Sequence, residues 1–132
     1  MSINPIPEGF HAITPYLFAQ GASRLIEFIS AAFEGELIFQ QKRPDGAIMH
    51  ATMQIGNSMV MVSNAGARSP APAFLYVYVQ DTDRTYRRAV QAGASSIEEP
   101  SDTPYGDRRG MVQDQWGNTW QIATYRKDRN SP

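Results

Sequence analysis

The sequence contains no cysteine, no long apolar run and no surplus of charge of one sign. Without cysteine, disulfide bonds, thiolate metal sites and a cysteine nucleophile are excluded. The 12 basic and 13 acidic residues give a net charge of -1, and no basic cluster suits a nucleic acid. Residues 1–5 lack a signal-like pattern, and no apolar stretch approaches the roughly 20 residues that span a bilayer. We therefore expect a cytoplasmic protein with neither nucleic acid nor membrane as its partner.

Histidine is also scarce, which limits metal chemistry. The chain holds only His11 and His50, and no pair of histidines has metal-ligand spacing. A first-row metal site would need one imidazole and scattered carboxylates, because these are the ligands that such ions prefer. We expect no cofactor, and a weak divalent-metal site is the alternative.

A repeated segment organises the chain. Residues 55–63 reappear in degenerate form as residues 116–124, with glycine on glycine, asparagine on asparagine and a small hydroxyl residue on another. The offset is 61 residues in a chain of 132, and an apolar run and a helix-like stretch precede each copy. Such self-similarity indicates two versions of one structural unit. With 42% hydrophobic residues, the chain has enough apolar material for one domain over residues 1–132.

Hydrophobic periodicity and turn residues predict one strand, one helix and three further strands in each half. In the first half, Pro15 indicates an edge strand because it has no N–H to donate, and Ser23 is a plausible N-cap. The predicted elements of the first half are a strand at 13–19, a helix from Ser23 to Gly35, and strands at 36–42, 48–55 and 59–63. Those of the second half are a strand at 74–79, a helix capped by Asp81 or Thr82 that runs to Ala92 with Tyr86, Ala89 and Val90 inward, and strands at 95–97, 109–113 and 119–124.

Several short runs then resemble the glyoxalase/bleomycin-resistance/dioxygenase group, the vicinal oxygen chelate superfamily, and most of all its PhnB-like branch. The runs are 14–17, 26–28, 32–36, His50-Ala51, 105–110 and 114–120. The resemblance implies an α+β fold of two βαβββ modules that form a cupped mixed sheet around a cavity, usually in a homodimer. Module one is then about 12–63, the linker 64–72 and module two about 73–125.

Enzymes of this superfamily commonly hold one divalent ion through four inward side chains, typically His and Glu. Carried over by position, those slots fall on Thr14, on Val60 or its neighbour Met61, on Phe74 and on Gln121. Two hydroxyl or amide oxygens beside apolar side chains are poor ligands for a divalent ion. The resemblance thus implies a relative that lacks the usual metal ligands.

Candidate functional residues follow from side-chain chemistry. His50 lies mid-strand on the polar face with Thr52 and Gln54, so it is the candidate acid or base, although a partly exposed strand histidine is the simpler interpretation. An aromatic cavity with a few polar groups suits a planar organic ligand. The candidate ligand-binding residues are Tyr16, Phe74, Tyr76, Trp120, Gln121 and Arg108, the last as a fork for a carboxylate or phosphate.

Three functions remain open at this point. The leading hypothesis is a homodimeric protein that binds a small drug-like or hydrophobic molecule without a metal. The second is a lyase- or isomerase-type enzyme that uses His50, with Thr14 and Gln121 positioning a substrate or a weak metal. The third is a structural domain with a vestigial cavity.

Overall fold

A computed structural model describes residues 4–65 and 71–126, which divide into two compact units. The first unit runs up to Ser30 and from Glu34 to Ala71, and the second comprises Ala31–Phe33 and the residues from Pro72 onward. Each unit holds one four-stranded mixed sheet, which confirms the predicted α+β fold with two βαβββ modules. Of the predicted linker 64–72, residues 66–70 lie outside the described residues. No helix in the described part of the chain is long and apolar enough to cross a membrane.

The first sheet has the strand order β1-β4-β3-β2, with β1 parallel to β4 and the other pairs antiparallel. Its elements are β1 (Tyr16–Ala19), α1 (Ala22–Phe33), β2 (Glu36–Lys42), β3 (Ile48–Ile55) and β4 (Ser58–Asn64). Strand β1 lies at the edge, as Pro15 predicts, and the Pro15 carbonyl accepts a hydrogen bond from the Met61 N–H at 2.9 Å.

The second sheet repeats this order as β5-β8-β7-β6, with β5 parallel to β8. Its elements are β5 (Phe74–Tyr78), α2 (Thr82–Gln91), β6 (Ser95–Asp102), β7 (Asp107–Gln113) and β8 (Thr119–Tyr125). Strand β6 is longer than the predicted 95–97. Pro100 did not stop it, because β6 is an edge strand whose pairing with β7 is already irregular there.

The two helices begin differently, and the predicted cap of α1 is wrong. Helix α1 begins after Gly21, whose φ of 72° is left-handed, so Ser23 lies inside the first turn. The N–H of Ala22 is bonded instead by the Asn64 side chain at 2.9 Å. Helix α2 has the predicted N-cap Asp81, whose carboxylate accepts from the Arg84 N–H at 3.1 Å.

Helix α2 lies close to one face of the second sheet. The Thr82 hydroxyl donates to the Arg108 carbonyl at 2.8 Å, and Ala89 is fully buried. Gly110 permits this approach, since a Cβ there would come within 3.1 Å of the Tyr86 ring. Val90, predicted to point inward, is 39% exposed and lies on the solvent side of the helix.

Strand pairing corrects the offset of the repeat. Tyr16 pairs with Met61 in the first sheet, and Tyr76 pairs with Gln121 in the second, so equivalent strand positions differ by 60 residues. The Gly-Asn turns differ by 61 because the loop between β3 and β4 spans residues 56–57, whereas that between β7 and β8 spans 114–118. A one-residue slip moves a side chain to the other face of a sheet. Met61, and not Val60, therefore shares the face of Tyr16, and Val60 is buried on the opposite face.

Candidate functional site

The open face of the second sheet, opposite α2, carries a row of exposed aromatic side chains. Alternate residues of β5 share this face: Phe74 is 68% exposed, Tyr76 38% and Tyr78 60%. Gln121 of β8 pairs with Tyr76 and so lies on the same face. The predicted ligand-binding residues Phe74, Tyr76 and Gln121 are thus brought together on one surface.

A buried carboxylate fixes two of these tyrosines. Asp107, at the start of β7, is 2% exposed, and its Oδ2 accepts from the Tyr76 hydroxyl at 2.5 Å and the Tyr78 hydroxyl at 2.9 Å. Burial and the bond to Asp107 raise the pKa of Tyr76 above its ordinary range. The pKa of Tyr78 is also raised, mainly by its bond to Asp107 and then by burial. Both hydroxyls therefore stay protonated and donate to the carboxylate at neutral pH.

Arg109 lies on the same face, and two of its three guanidinium nitrogens form hydrogen bonds within the protein. Its Nη1 donates to the Tyr105 hydroxyl at 3.2 Å and to Gln121 Oε1 at 3.1 Å. Its Nη2 donates to Glu98 Oε1 at 2.9 Å. Its Nε is buried and has no hydrogen-bond partner, the single such side-chain nitrogen or oxygen in residues 4–65 and 71–126. A buried donor without an acceptor is costly, so this atom marks a place where an acceptor group fits.

Arg108, the predicted anion-binding residue, lies on the opposite face. Its side chain forms a two-bond pair with Asp83 of α2, at 2.7 and 3.0 Å, and a further bond to Asp102 at 3.3 Å. The bonds to Asp83 and to Asp102 raise the pKa of Arg108, and the bond from Arg108 lowers the pKa of Asp83. Arg108 also lines an open cavity of about 400 Å³, but its guanidinium is already engaged by carboxylates. Arg109, one residue later, has the guanidinium that is not fully bonded.

Trp120 also lies on the α2 side of the second sheet, so it does not share the surface with Gln121. Its side chain is fully buried, its ring lies 4.7 Å from that of Phe33, and its indole N–H donates to Asp114 at 2.8 Å. Neighbouring residues of a strand face opposite sides, so Trp120 and Gln121 cannot both line one surface. Trp120 is a core residue in this structure.

The open face of the first sheet carries the predicted acid-base candidate. The Tyr16 hydroxyl lies 3.0 Å from His50 Nδ1, and the Thr52 hydroxyl lies 3.3 Å from His50 Nε2. The Tyr16 ring stacks on Phe18, and the Phe39 ring lies 6.3 Å from the imidazole. His50 is thus held at both ring nitrogens by hydroxyl groups, and the predicted residues Tyr16 and His50 are neighbours.

The metal slots implied by the family resemblance do not fit a divalent ion in either module. In the first module they carry the hydroxyl of Thr14 and the thioether of Met61. In the second they carry the ring of Phe74 and the amide of Gln121, which accepts from Arg109. Divalent ions prefer imidazole, carboxylate or thiolate ligands, and these slots supply none. Among the described residues, no group of three or more His, Cys, Asp or Glu side chains could hold a metal ion.

Four residues of the second open face were not identified from the sequence: Glu98, Tyr105, Asp107 and Arg109. The alternation of β7 and β8 contained part of this information. Gln121 lies on the open face, and its partner across the sheet is Met111. Arg109 lies two residues before Met111 and therefore shares this face. The predicted start of β7 at Arg109 leaves Asp107 outside the strand, so alternation along the strand does not give its direction.

The chain is similar to known proteins in both sequence and structure. A model of the Glyoxalase/Bleomycin resistance protein/Dioxygenase superfamily matches residues 9–122. An uncharacterized protein of Mycobacterium bovis is 31% identical over 135 residues, which cover 93% of this chain and 86% of that protein. TioX from Micromonospora sp. ML1 has a TM-score of 0.76 and 25% identity, over 87% of this chain and 98% of that chain. The PhnB protein from Bacillus cereus, described as a putative 3-demethylubiquinone-9 3-methyltransferase, has a TM-score of 0.67 and 19% identity. The match covers 86% of this chain and 99% of that chain. These matches confirm the resemblance drawn from the sequence motifs.

Proposed function

The chain belongs to the Glyoxalase/Bleomycin resistance protein/Dioxygenase superfamily, and from this premise we propose that it binds a planar organic molecule without a metal ion. The binding surface is the open face of the second sheet. One observation carries the proposal: Phe74, Tyr76 and Tyr78 stand exposed beside the fixed polar groups of Arg109 and Gln121. Exposed aromatic rings with a few oriented polar groups are typical of sites for planar ligands.

The donor chemistry of the slots supports the metal-independent part of this proposal. Gln121 offers one neutral oxygen, and Arg109 already uses it. A cation placed beside that oxygen would also lie near a guanidinium of its own sign, which opposes binding. The ligand itself is therefore expected to make the polar contacts that an ion makes in metal-dependent relatives.

Titration calorimetry with a fused-ring aromatic probe such as 2-naphthamide tests the proposal. We expect binding that a chelator leaves unchanged, and a loss of about three- to tenfold in affinity for Phe74→Ala, since removing a stacked ring costs about 1 kcal/mol. Val90→Ala, on the solvent side of α2, is the matched control and should bind like the wild type. A probe affinity that disappears with chelator, or that responds equally to both variants, contradicts the proposal.

A second candidate function is proton transfer at the first open face. The contacts of His50 with Tyr16 and Thr52 favour it, because a histidine held at both nitrogens keeps a defined orientation. In this function His50 takes a proton from the substrate or from the Tyr16 hydroxyl and later returns it, as lyases and isomerases require. His50→Gln should then abolish turnover of a substrate while leaving its binding intact. Turnover that persists in this variant rules the role out.

We further propose a homodimer in the cytoplasm. The support is the exposure of apolar side chains on the first open face, for example Phe39 at 54%, since a monomer seldom leaves such residues in contiguous patches. Sedimentation equilibrium at micromolar concentration should give twice the 14.7 kDa mass of the chain. A mass that stays at one chain across the concentration range contradicts the dimer.

A further inference from the structure

Arg109 presents one half-used edge of its guanidinium. The two bonds from Nη1, to Tyr105 and Gln121, fix the plane of the group from one side. The remaining edge consists of Nε and Nη2, which together form the fork that a carboxylate spans with two parallel bonds. Only Nη2 of this edge is bonded, to one oxygen of Glu98, and Nε has no partner.

Glu98 is a replaceable occupant of this edge. Its side chain is 48% exposed, whereas that of Arg109 is 21% exposed. It comes from the edge strand β6, whose pairing with β7 is irregular on both sides of residue 98. A single bond to a half-exposed carboxylate contributes little, because water competes for both partners. Glu98 therefore already shows that a carboxylate is accepted here, and it can return to solvent when another one arrives.

We propose that the planar ligand of the second open face is an aromatic carboxylate, which displaces Glu98 and binds Nε and Nη2 of Arg109 together. The inference rests on the proposed function, since the ring of the ligand packs on the same face as Phe74 and Tyr76. After displacement the guanidinium is still paired with one carboxylate, because Glu98 turns to solvent as the ligand arrives. It also supplies an acceptor to the buried Nε, which Glu98 does not.

The magnitudes favour the exchange. The ligand gains two charge-assisted bonds in a partly buried position, and such bonds are about twice as strong as neutral ones. The protein loses one single bond to a carboxylate that is itself 48% exposed. Arg109 is already oriented by Tyr105 and Gln121, so the ligand does not have to order it.

The test compares 2-naphthoate with 2-naphthamide, two probes with the same ring and nearly the same shape. We expect the wild type to bind the carboxylate about tenfold tighter than the amide, the factor expected for one strong charge-assisted bond gained. Glu98→Gln should tighten binding of the carboxylate by about threefold or more and leave the amide unchanged, because a weaker competitor then occupies Nη2. Glu99→Gln, the same charge change at the next residue of β6, is the matched control and should have less effect on either probe.

Arg109→Lys keeps the charge but removes the fork, and it should abolish the preference for the carboxylate. If this variant unfolds, the NMR resonance of the Arg109 Nε–H in the wild type gives the answer instead. That resonance should shift with 2-naphthoate and not with 2-naphthamide. Equal affinities for the two probes, or weaker naphthoate binding in Glu98→Gln, would overturn the carboxylate inference alone. If neither probe binds the wild type, the proposed function fails as well.

Discussion

The two modules place different chemistry at equivalent positions of one strand arrangement. Tyr16 and Tyr76 pair with equivalent residues of β4 and β8, and strand register makes His50 the counterpart of Arg109. In the first module the tyrosine hydroxyl meets an imidazole at 3.0 Å, and in the second it meets the buried carboxylate of Asp107 at 2.5 Å. One face therefore carries an imidazole held by hydroxyl groups, and the other carries a carboxylate and a guanidinium held by hydroxyl groups. The same strand arrangement thus presents different side-chain chemistry in its two copies.

We expect the largest difference in stability at the loops between the last two strands of each module. Asp114 is 5% exposed and accepts from the Trp120 indole, the Asn118 amide group and the backbone N–H groups of Trp116 and Asn118, all within 3.0 Å. Asp114→Ala leaves these buried donors without an acceptor and should lower the free energy of unfolding by about 3–5 kcal/mol. Asn57→Ala, in the exposed counterpart, should cost less than about 0.5 kcal/mol. Urea unfolding measures both, and similar losses would show that the two loops are equivalent after all.

The two tyrosines give the next largest contrast. Tyr76→Phe removes a donor from a buried carboxylate and should cost about 1.5–3 kcal/mol, the range for bonds to charged groups. Tyr16→Phe removes a bond at an exposed position and should cost about 0.5–1 kcal/mol. Thermal and urea unfolding of both variants provide the measurement. A larger loss for Tyr16 would mean that the first face, not the second, is the more rigid.

The helix N-termini should differ by about 1 kcal/mol. Asp81→Ala removes the side-chain cap of α2, a change that typically costs about that amount. Ser23→Ala should be close to neutral, because Ser23 lies within α1 and its position is not the cap. Urea unfolding is again the measurement, and a cost at Ser23 equal to that at Asp81 would restore it as a capping residue.

The smallest expected effect is a dependence of stability on alkaline pH that belongs to the second module. The pKa values of Tyr76 and Tyr78 are raised in the folded state, so the folded protein holds these protons more tightly than the unfolded chain does. Their contribution to stability is complete below the unfolded tyrosine pKa of about 10 and is lost as pH rises above it. Stability should therefore fall above pH 10, and less steeply in Tyr78→Phe, which copies Phe18 of the first module. An equal slope in wild type and variant contradicts this account.

Sequence reasoning predicted the fold well because the signals were periodic and local. Strands β2 and β3 have the predicted bounds, and Asp81 caps α2 as its chemistry indicates. Side-chain direction was harder. Aligning the modules on their Gly-Asn turns shifted the strand register by one residue, which put Val60 where Met61 lies.

The same one-residue ambiguity explains the errors at the site. Trp120 and Gln121 are both predicted to bind the ligand, although adjacent strand residues face opposite sides. The predicted anion-binding residue is Arg108, whereas Arg109 is the arginine that shares a face with Gln121. The network around Arg109 joins β6, β7, β8 and the turn at Tyr105, so it depends on strand pairing across the whole sheet. Local sequence patterns do not predict such long-range strand pairing.

Gly110 connects the packing of α2 on one face of the second sheet with the position of Arg109 on the other. It lies directly after Arg109, and a Cβ on it would meet both the Tyr86 ring at 3.1 Å and Pro100 at 3.2 Å. A methyl group added at Gly110 would push α2 and β7 apart. The guanidinium of Arg109 lies on the other face of β7 and would move with the strand. The distance between α2 and the sheet thereby limits the position of Arg109, so a substitution at Gly110 would alter the opposite face of the sheet without touching it.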